Sequence, residues 1–407
     1  MKSPIHIADY TYDLPEERIA KFPLPNREES KLLVYKDQEI KDYSFKRVFD
    51  VLPEKCLLVF NNTKVVQARL LFTKTVGAKP IEIFCLEPES LDVERAMAAK
   101  NQVRFVALVG NAKRWKEGLV LKKELDNGII LQAQKVGRQG DSFVVDFTWS
   151  GNLSFSEILE QAGKVPLPPY LNRDSEKEDR ERYQTVYAIA DGSVAAPTAG
   201  LHFTKEILAD LKLNGIRICE TTLHVGAGTF KPVSTVDVRD HDMHAEEIHI
   251  SRNLVKTLSN RKQQILSVGT TSTRTLESLY WLGVKLLQNP KLSPNDFKLD
   301  QWDAYELPQT ISLKRSMGAI LAYMDAHNIE QFFTHTQLII TPGYKFRVID
   351  GLFTNFHQPG STLILLVAAV VGNEWKNIYQ HALNQDYRFL SYGDSSCLFI
   401  PKDRKMK

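Results

Sequence analysis

The chain has 407 residues, more than one hydrophobic core usually supports, so two domains are expected. Its hydrophobic content of 43%, charged content of 25% and net charge of +3 are ordinary for a soluble globular protein, and so small a charge permits an RNA partner without arguing for one. Cys56, Cys85, Cys219 and Cys397 are scattered with no Cys-x-x-Cys pair, which argues against a structural zinc or disulfide framework and for a reducing cytoplasm. No apolar signal-type segment is seen near Asp9 and Asp13. Asp13–Glu16 is expected to cap a short helix, with Pro15 in its first turn. A strand over Leu32–Tyr35, a helix from Ser44 through Val51 and a buried strand over Leu57–Phe60 follow.

From Val65 to Phe147 short β-like runs succeed one another: 65–72, 81–87, 103–109, 119–125, 129–136 and 143–147. Asn127-Gly128 between two of them predicts a type I′ hairpin turn. Ser154 and Glu157 form a capping box for a helix ended by Gly163, and Thr204 caps a helix over Lys205–Leu213 that ends near Gly215. Strands are then expected over 216–223, 246–250, 265–268, 337–340 and 348–353, with helices over 253–262, 272–282, 362–371 and 375–383. Residues 283–310 read as a polar surface excursion, and Leu363–Val371 is too short an apolar run to span a bilayer. The alternation predicts an α/β layer domain over 1–61 and 150–407, with a small antiparallel β-barrel domain inserted at 62–149.

The segments that carry chemistry are dense in Gly, Ala and Pro. Ser193–Thr204 holds Ala196, Pro197, Thr198, Ala199, Gly200 and His202; His224–Pro232 holds Gly226, Gly228 and Thr229. Small residues permit close approach of a ligand, and the histidines and threonines make such a pocket polar. Val268–Ser278 reads as a strand, a tight turn and a helix start, where Thr270, Thr271 and Arg274 flank free N–H groups suited to an anion. Thr354–Thr362, with Asn355 and His357, and Tyr387–Asp394, with Tyr392 and Asp394, share this texture. Together the loops are expected to converge on one cleft at the edge of the sheet. Arg182 and Tyr183 offer a clasp for a nucleotide or phosphate, against the alternative of a solvated helix end. In His241–His249 a strand would put His244 and Glu246 on one face and Glu247 and His249 on the other. That divides a metal-ligand set, so no metal is expected, and a His244–Glu246 proton-transfer pair competes with a structural one.

Arg182–Ala188, Ser193–Thr204, His224–Val233, Met243–Glu246, Val268–Ser278, Thr354–Thr362 and Tyr387–Asp394, with Tyr12–Pro15 and Phe60–Val65, closely resemble the S-adenosylmethionine:tRNA ribosyltransferase-isomerase family of the queuosine pathway. The resemblance runs almost end to end. It implies an α/β fold interrupted by a β-barrel. It also implies transfer and isomerisation of the ribosyl part of S-adenosylmethionine onto 7-aminomethyl-7-deazaguanine at the wobble position of tRNAs with a G-U-N anticodon. The implied products are epoxyqueuosine-tRNA, adenine and methionine. No cofactor beyond the donor, no metal and no membrane are expected, in a cytoplasmic monomer. His244 with Glu246 is the first choice for proton transfer, and His202 and His224 are the next. The loops above, with Arg182, Tyr183, Thr270, Thr271 and Arg274, are expected to grip the donor. The methionine carboxylate is expected near Thr271, and Lys113–Lys116 is offered as a tRNA contact.

The sequence departs from the family at Lys31, Lys64 and Lys231, each in place of Arg, at Asn62 in place of Asp, and at Gln67 in place of Pro. Ala107–Trp115 departs most, and Ser395–Leu398 also differs. Three other readings stay open: a paralogue with a different acceptor, a non-catalytic RNA-binding protein, and a zinc hydrolase built on His241, His244 and His249.

Overall fold

The computed structural model describes residues 4–73, 79–90, 92–226, 228, 233, 235–293 and 296–406. A nine-stranded sheet organises most of them. Its strands in chain order are β1 (Lys31–Lys36), β2 (Glu39–Ser44), β3 (Cys56–Asn61), β4 (Arg217–Leu223), β5 (Glu246–Ser251), β6 (Gln264–Val268), β7 (Gln331–Thr336), β8 (Gly351–Asn355) and β9 (Ser395–Phe399). Their spatial order is β7-β5-β4-β3-β6-β8-β9-β1-β2. Strands β4, β3, β6 and β8 run parallel to one another, β9 pairs antiparallel with β8 and parallel with β1, and β5, β7 and β2 add antiparallel edges. Every residue of β3, β8 and β9 is buried, as strands covered on both faces require. Edge strand β7 alternates buried and exposed residues instead.

Helix α1 (Phe155–Ala162) packs into the core of the second sheet described below, and the helices that cover the nine-stranded sheet include α2 (Lys205–Leu213), α3 (Arg252–Ser259), α4 (Thr270–Gln288), α5 (Leu313–Ala326), α6 (Thr362–Val371) and α7 (Trp375–Asn384). The Ser154 capping box opens α1 and the Thr204 hydroxyl caps α2, as their sequences predict. Helix α4 is the central one. It follows β6 directly and packs so tightly on α5 that a Cβ on Gly283 would lie 2.2 Å from Ser316 Oγ.

Several expectations change. Helix α4 runs on through Gln288, so the first part of the expected surface excursion is helical, with Gly283, Val284 and Leu286 buried. Residues 337–340 form no strand; the strand is the preceding β7, and the buried side chains of Leu338, Ile339 and Ile340 imitate one. Asp13 caps nothing: Pro15 precedes a 3-10 turn over Glu16–Arg18. Ser44 likewise caps no helix, and its hydroxyl donates to the Glu28 carbonyl. Strand β2 escapes notice in the sequence because it is polar and mostly exposed. Its hairpin with β1 turns through Asp37 and Gln38, at φ 50 and 66, without a glycine.

A second, seven-stranded antiparallel sheet has the order Gly163–Lys164, Arg69–Phe72, Ile81–Pro88, Gln102–Gly110, Ser142–Thr148, Ile130–Gln139, Leu121–Glu124. It curls as a half-barrel around Phe105, Trp115, Phe147, Trp149 and Phe155. Among the described residues no ladder closes it, although Lys123 Nζ donates to the Leu71 carbonyl across the gap at 3.2 Å. The run expected over 65–72 is divided: Thr63–Val65 pairs with Ala190–Ser193 outside this sheet. The Asn127-Gly128 hairpin is present, but only Gly128 has positive φ and its N–H donates to the Leu125 carbonyl. That is a type I turn closed by a left-handed glycine, not a type I′ turn.

Candidate functional site

A cleft opens beyond the C-terminal ends of β6 and β8, where an open parallel sheet has its free loops. Ala196, Pro197, Thr198 and Ala199 form one wall, and Thr270, Thr271 and Arg274 of α4 another. Asn355, His357 and the Gln358–Pro359 turn form a third, and Tyr183 and Glu246 are also in the lining. Segments from distant parts of the chain therefore meet in one lining.

Gly269, at φ 93, makes the turn between β6 and α4 and leaves the first turn of α4 without a side-chain cap. The free N–H groups of this first turn belong to the segment that carries the cleft residues Thr270 and Thr271, a favourable setting for a carboxylate or phosphate. Three side-chain atoms around this point are buried yet have no hydrogen-bond partner among the described residues: Thr271 Oγ1, Arg274 Nη2 and Asn355 Oδ1. Leaving a buried polar atom unpaired costs about 1–3 kcal/mol, so three in one cleft point to a polar ligand.

Glu246 does not pair with His244. It stands at the start of β5, buried, and receives a hydrogen bond from Arg274 Nη1 in an ion pair. Arg274 Nε donates to the Leu338 carbonyl at 3.1 Å, so the guanidinium is held on two sides. His244 precedes the strand and is exposed. It lines a smaller neighbouring cavity with His241, Met243 and Gly228. Glu246 and Arg274 border both cavities, and this is how His244 approaches the main cleft. A Cβ on Gly228 would fall 1.8 Å from the His244 ring, so that glycine gives the imidazole its place.

The other histidines divide by location. His357 lines the cleft, with Thr354 Oγ1 2.7 Å from its Nε2, and burial pushes its pKa down to about 3. His202 lies behind the cleft. Its Nδ1 is 2.8 Å from Ser30 Oγ and its Nε2 is 3.4 Å from Asn355 Nδ2. Burial, then the nearby Arg388 and Arg27, hold its pKa at about 3. Such a ring is neutral and buttresses Asn355. His224 faces the opposite side, 3.1 Å from Thr63 Oγ1, although the next residue, Val225, lines the cleft. His249 lies with His224, ring centroids 4.9 Å apart. No metal-ligand group among the described residues joins His241 and His244 to His249, so the hydrolase set is not assembled.

Other expected contacts are structural. Arg182 donates to the carbonyls of Leu24 and Pro25. Tyr392 donates to Asp179 at 2.8 Å, and Asp394 accepts from the backbone of Lys31 and Arg388. None of the three lines the cleft. Gly200 leaves room for Tyr187, whose hydroxyl would lie 1.8 Å from an added Cβ. Gly226 is half-buried beside the cleft residue Val225 but is not itself in the lining, and Thr229 and Lys231 lie outside the described residues. The tRNA contact offered at Lys113–Lys116 loses its aromatic member, because Trp115 is 1% exposed and donates to the Leu119 carbonyl. The departures from the family at Lys31, Asn62 and Lys64 are engaged within the protein, by the Gln385 carbonyl, Glu220 and Asp191 respectively.

Tyr170 and Ser391 are among the lining residues that the sequence did not single out. They face each other, with their hydroxyl oxygens 2.5 Å apart. Tyr170 follows two prolines, a signal of irregular buried chain that went unused.

Among the described residues no helix is long and apolar enough to cross a membrane. A family model described as "Queuosine biosynthesis protein" matches residues 7–398. The crystal structure of an S-adenosylmethionine tRNA ribosyltransferase from Thermotoga maritima also matches, at 26% identity over 96% of this chain and 99% of that one, with a TM-score of 0.44.

Proposed function

The chain belongs to the queuosine biosynthesis protein family, and from that premise we propose that it is a tRNA ribosyltransferase-isomerase. It transfers and isomerises the ribosyl moiety of S-adenosylmethionine onto 7-aminomethyl-7-deazaguanine at the wobble position of G-U-N tRNAs. Epoxyqueuosine-tRNA, adenine and methionine are the products. The observation that carries this reading is the cluster of unpaired buried polar atoms, Thr271 Oγ1, Arg274 Nη2 and Asn355 Oδ1, beside the uncapped start of α4. An amino-acid carboxylate on the helix N-terminus and a polar sugar across it would satisfy all three.

The chemistry assigns work to these residues. A sulfonium acidifies the hydrogens on the adjacent ribose C5′, so one base starts the reaction. Adenine leaves well only when protonated, and the acceptor amine attacks only when neutral. His244 is the candidate for proton transfer because it is exposed at the mouth of the adjoining cavity, next to the Glu246–Arg274 pair. Glu246, already bonded to Arg274, orients that guanidinium. His202 acts through Asn355 rather than on substrate, and His357 contributes to the lining. The largely buried wall of Ala196–Ala199 and the half-buried turn His357–Pro359 exclude water from reactive sugar intermediates.

In this reading the antiparallel sheet is an inserted domain, read from the sequence at 62–149 but joined in the structure by α1 and Gly163–Lys164, the rest of the chain forms the catalytic domain, and the enzyme works as a cytoplasmic monomer. Incubation with S-adenosylmethionine and tRNA carrying the deazaguanine amine, followed by nucleoside mass analysis, tests it. Epoxyqueuosine in the digest with matching adenine release is expected. Adenine release on unmodified tRNA, or no product at all, would overturn it.

A further inference from the structure

We propose that His224, Glu247 and His249 form a site for a divalent transition-metal ion, zinc by its donor set, on the side of β5 facing away from the cleft. One ring nitrogen from each histidine and a Glu247 carboxylate oxygen lie within 4.8 Å of one another. Alternation along β5 sends Glu246 to the cleft and sets Glu247 and His249, two residues apart, on the other side. The third donor comes from the end of the adjacent strand, since Leu223 of β4 pairs with Ile248 of β5.

The surroundings hold these groups as ligands are held. Thr63 Oγ1 occupies Nδ1 of His224, leaving the other ring nitrogen for an ion. The Val93 N–H donates to Glu247 Oε2 at 3.4 Å, which leaves Oε1 to the cluster. Oε1 lies 2.6 Å from His249 Nε2, a contact that a metal would replace. The His249 ring packs edge-on against Phe333, centroids 4.3 Å apart. Backbone closes over the cluster at Gly192, where a Cβ would meet His224 Nδ1 at 3.1 Å and Val93 Cγ1 at 2.1 Å. His224 and Glu247 are 5% and 7% exposed, so this is a built recess and not a surface coincidence.

Two imidazoles and one carboxylate suit zinc, with a fourth position left for water or a further ligand. His335 stands outside this group, beside the other Glu247 oxygen. It pairs with Glu247 across β5 and β7, and its Nε2 lies 4.0 Å from Glu247 Oε2. A groove bordered by Asn62, Asp191 and Glu220 gives access from solvent.

Full-length protein freed of metal by chelator is titrated with zinc alone by calorimetry, and with cobalt(II) as a spectroscopic probe. Saturable binding of one ion per chain is expected, with visible cobalt bands of a low-coordinate nitrogen–oxygen site. His249→Gln and Glu247→Gln should each weaken zinc binding by about 10–100-fold or more. His241→Gln and His244→Gln, in the other cavity, should leave it unchanged. Should the Glu247 variant not fold, X-ray absorption of the zinc-loaded wild type replaces it, and a shell with two imidazoles is expected. Absence of stoichiometric binding, a shell without imidazole, or equal loss in the His244 variant would overturn the proposal.

Discussion

Arg274 and Glu246 are joined in a buried ion pair at the seam of two cavities, with their side chains 10% and 5% exposed. The pair consumes one guanidinium nitrogen, the Leu338 carbonyl consumes a second, and the third, Nη2, is left for the cleft. Removing one partner of such a pair strands a buried charge, at a cost of about 3–5 kcal/mol. Arg274→Ala is therefore expected to lower stability in urea by that order. Glu246→Gln, which still accepts a hydrogen bond, should cost less. An Arg274→Ala midpoint equal to wild type would show that the pair contributes nothing to the fold.

The hydroxyl of Thr271 makes the opposite case. It is buried without a partner, so the unliganded protein gains nothing from it. Thr271→Val should melt at or slightly above the wild-type temperature. It should bind S-adenosylmethionine about tenfold more weakly, the worth of one or two polar contacts. The measurement is a donor KM with thermal denaturation on the same preparation. A destabilised variant with normal KM would mean the hydroxyl serves the fold.

His244 owes its position to Gly228, whose missing side chain leaves space that a Cβ would fill at 1.8 Å from the ring. The ring is exposed and makes few demands on the fold. His244→Ala is expected to lower single-turnover rate by about a hundredfold or more if it transfers a proton, with little change in melting temperature. Gly228→Ala should give a smaller rate loss by displacing the same ring, and adding it to His244→Ala should cost nothing further. Additive losses in the double variant would sever the link between the two residues.

The cleft was legible because its walls are made of local texture. Pro197, Gly269, Pro359 and their neighbours announce irregular backbone within a few residues, and a strand–turn–helix at Val268–Ser278 announces an uncapped helix start. What was illegible depended on pairing. Nothing local separates Glu246 bonded to Arg274 from Glu246 bonded to His244; only the packing of α4 beside β5 decides it. Arg182 reads as a phosphate clasp until Leu24 and Pro25 present their carbonyls from 157 or 158 positions away. The Trp115 cluster reads as an exposed basic turn because the core beneath it is assembled from six other strands' worth of chain. The same reason kept His224 apart from Glu247 and His249, since adjacent strands β4 and β5 have to pair before the three meet.

His202 makes the acid stability of the fold testable. Its pKa falls from 6.5 unfolded to about 3 folded, through burial first and then Arg388 and Arg27. Below pH 6.5 the unfolded chain therefore binds a proton at this ring that the folded chain refuses. The stability it contributes is complete above pH 6.5 and is lost as the pH falls towards the folded value. The slope from one such group is up to about 1.4 kcal/mol per pH unit. His357 and His224, pushed down to about 3 and about 4, act in the same direction. Urea midpoints should thus be level near neutrality and decline steeply between pH 6.5 and 4.5. His202→Gln cannot titrate there, so whatever stability it loses at pH 7.5, its decline with acid should be shallower than that of the wild type. Parallel curves for the two proteins would mean that His202 takes up its proton without unfolding, contrary to its enclosure between Ser30 and Asn355.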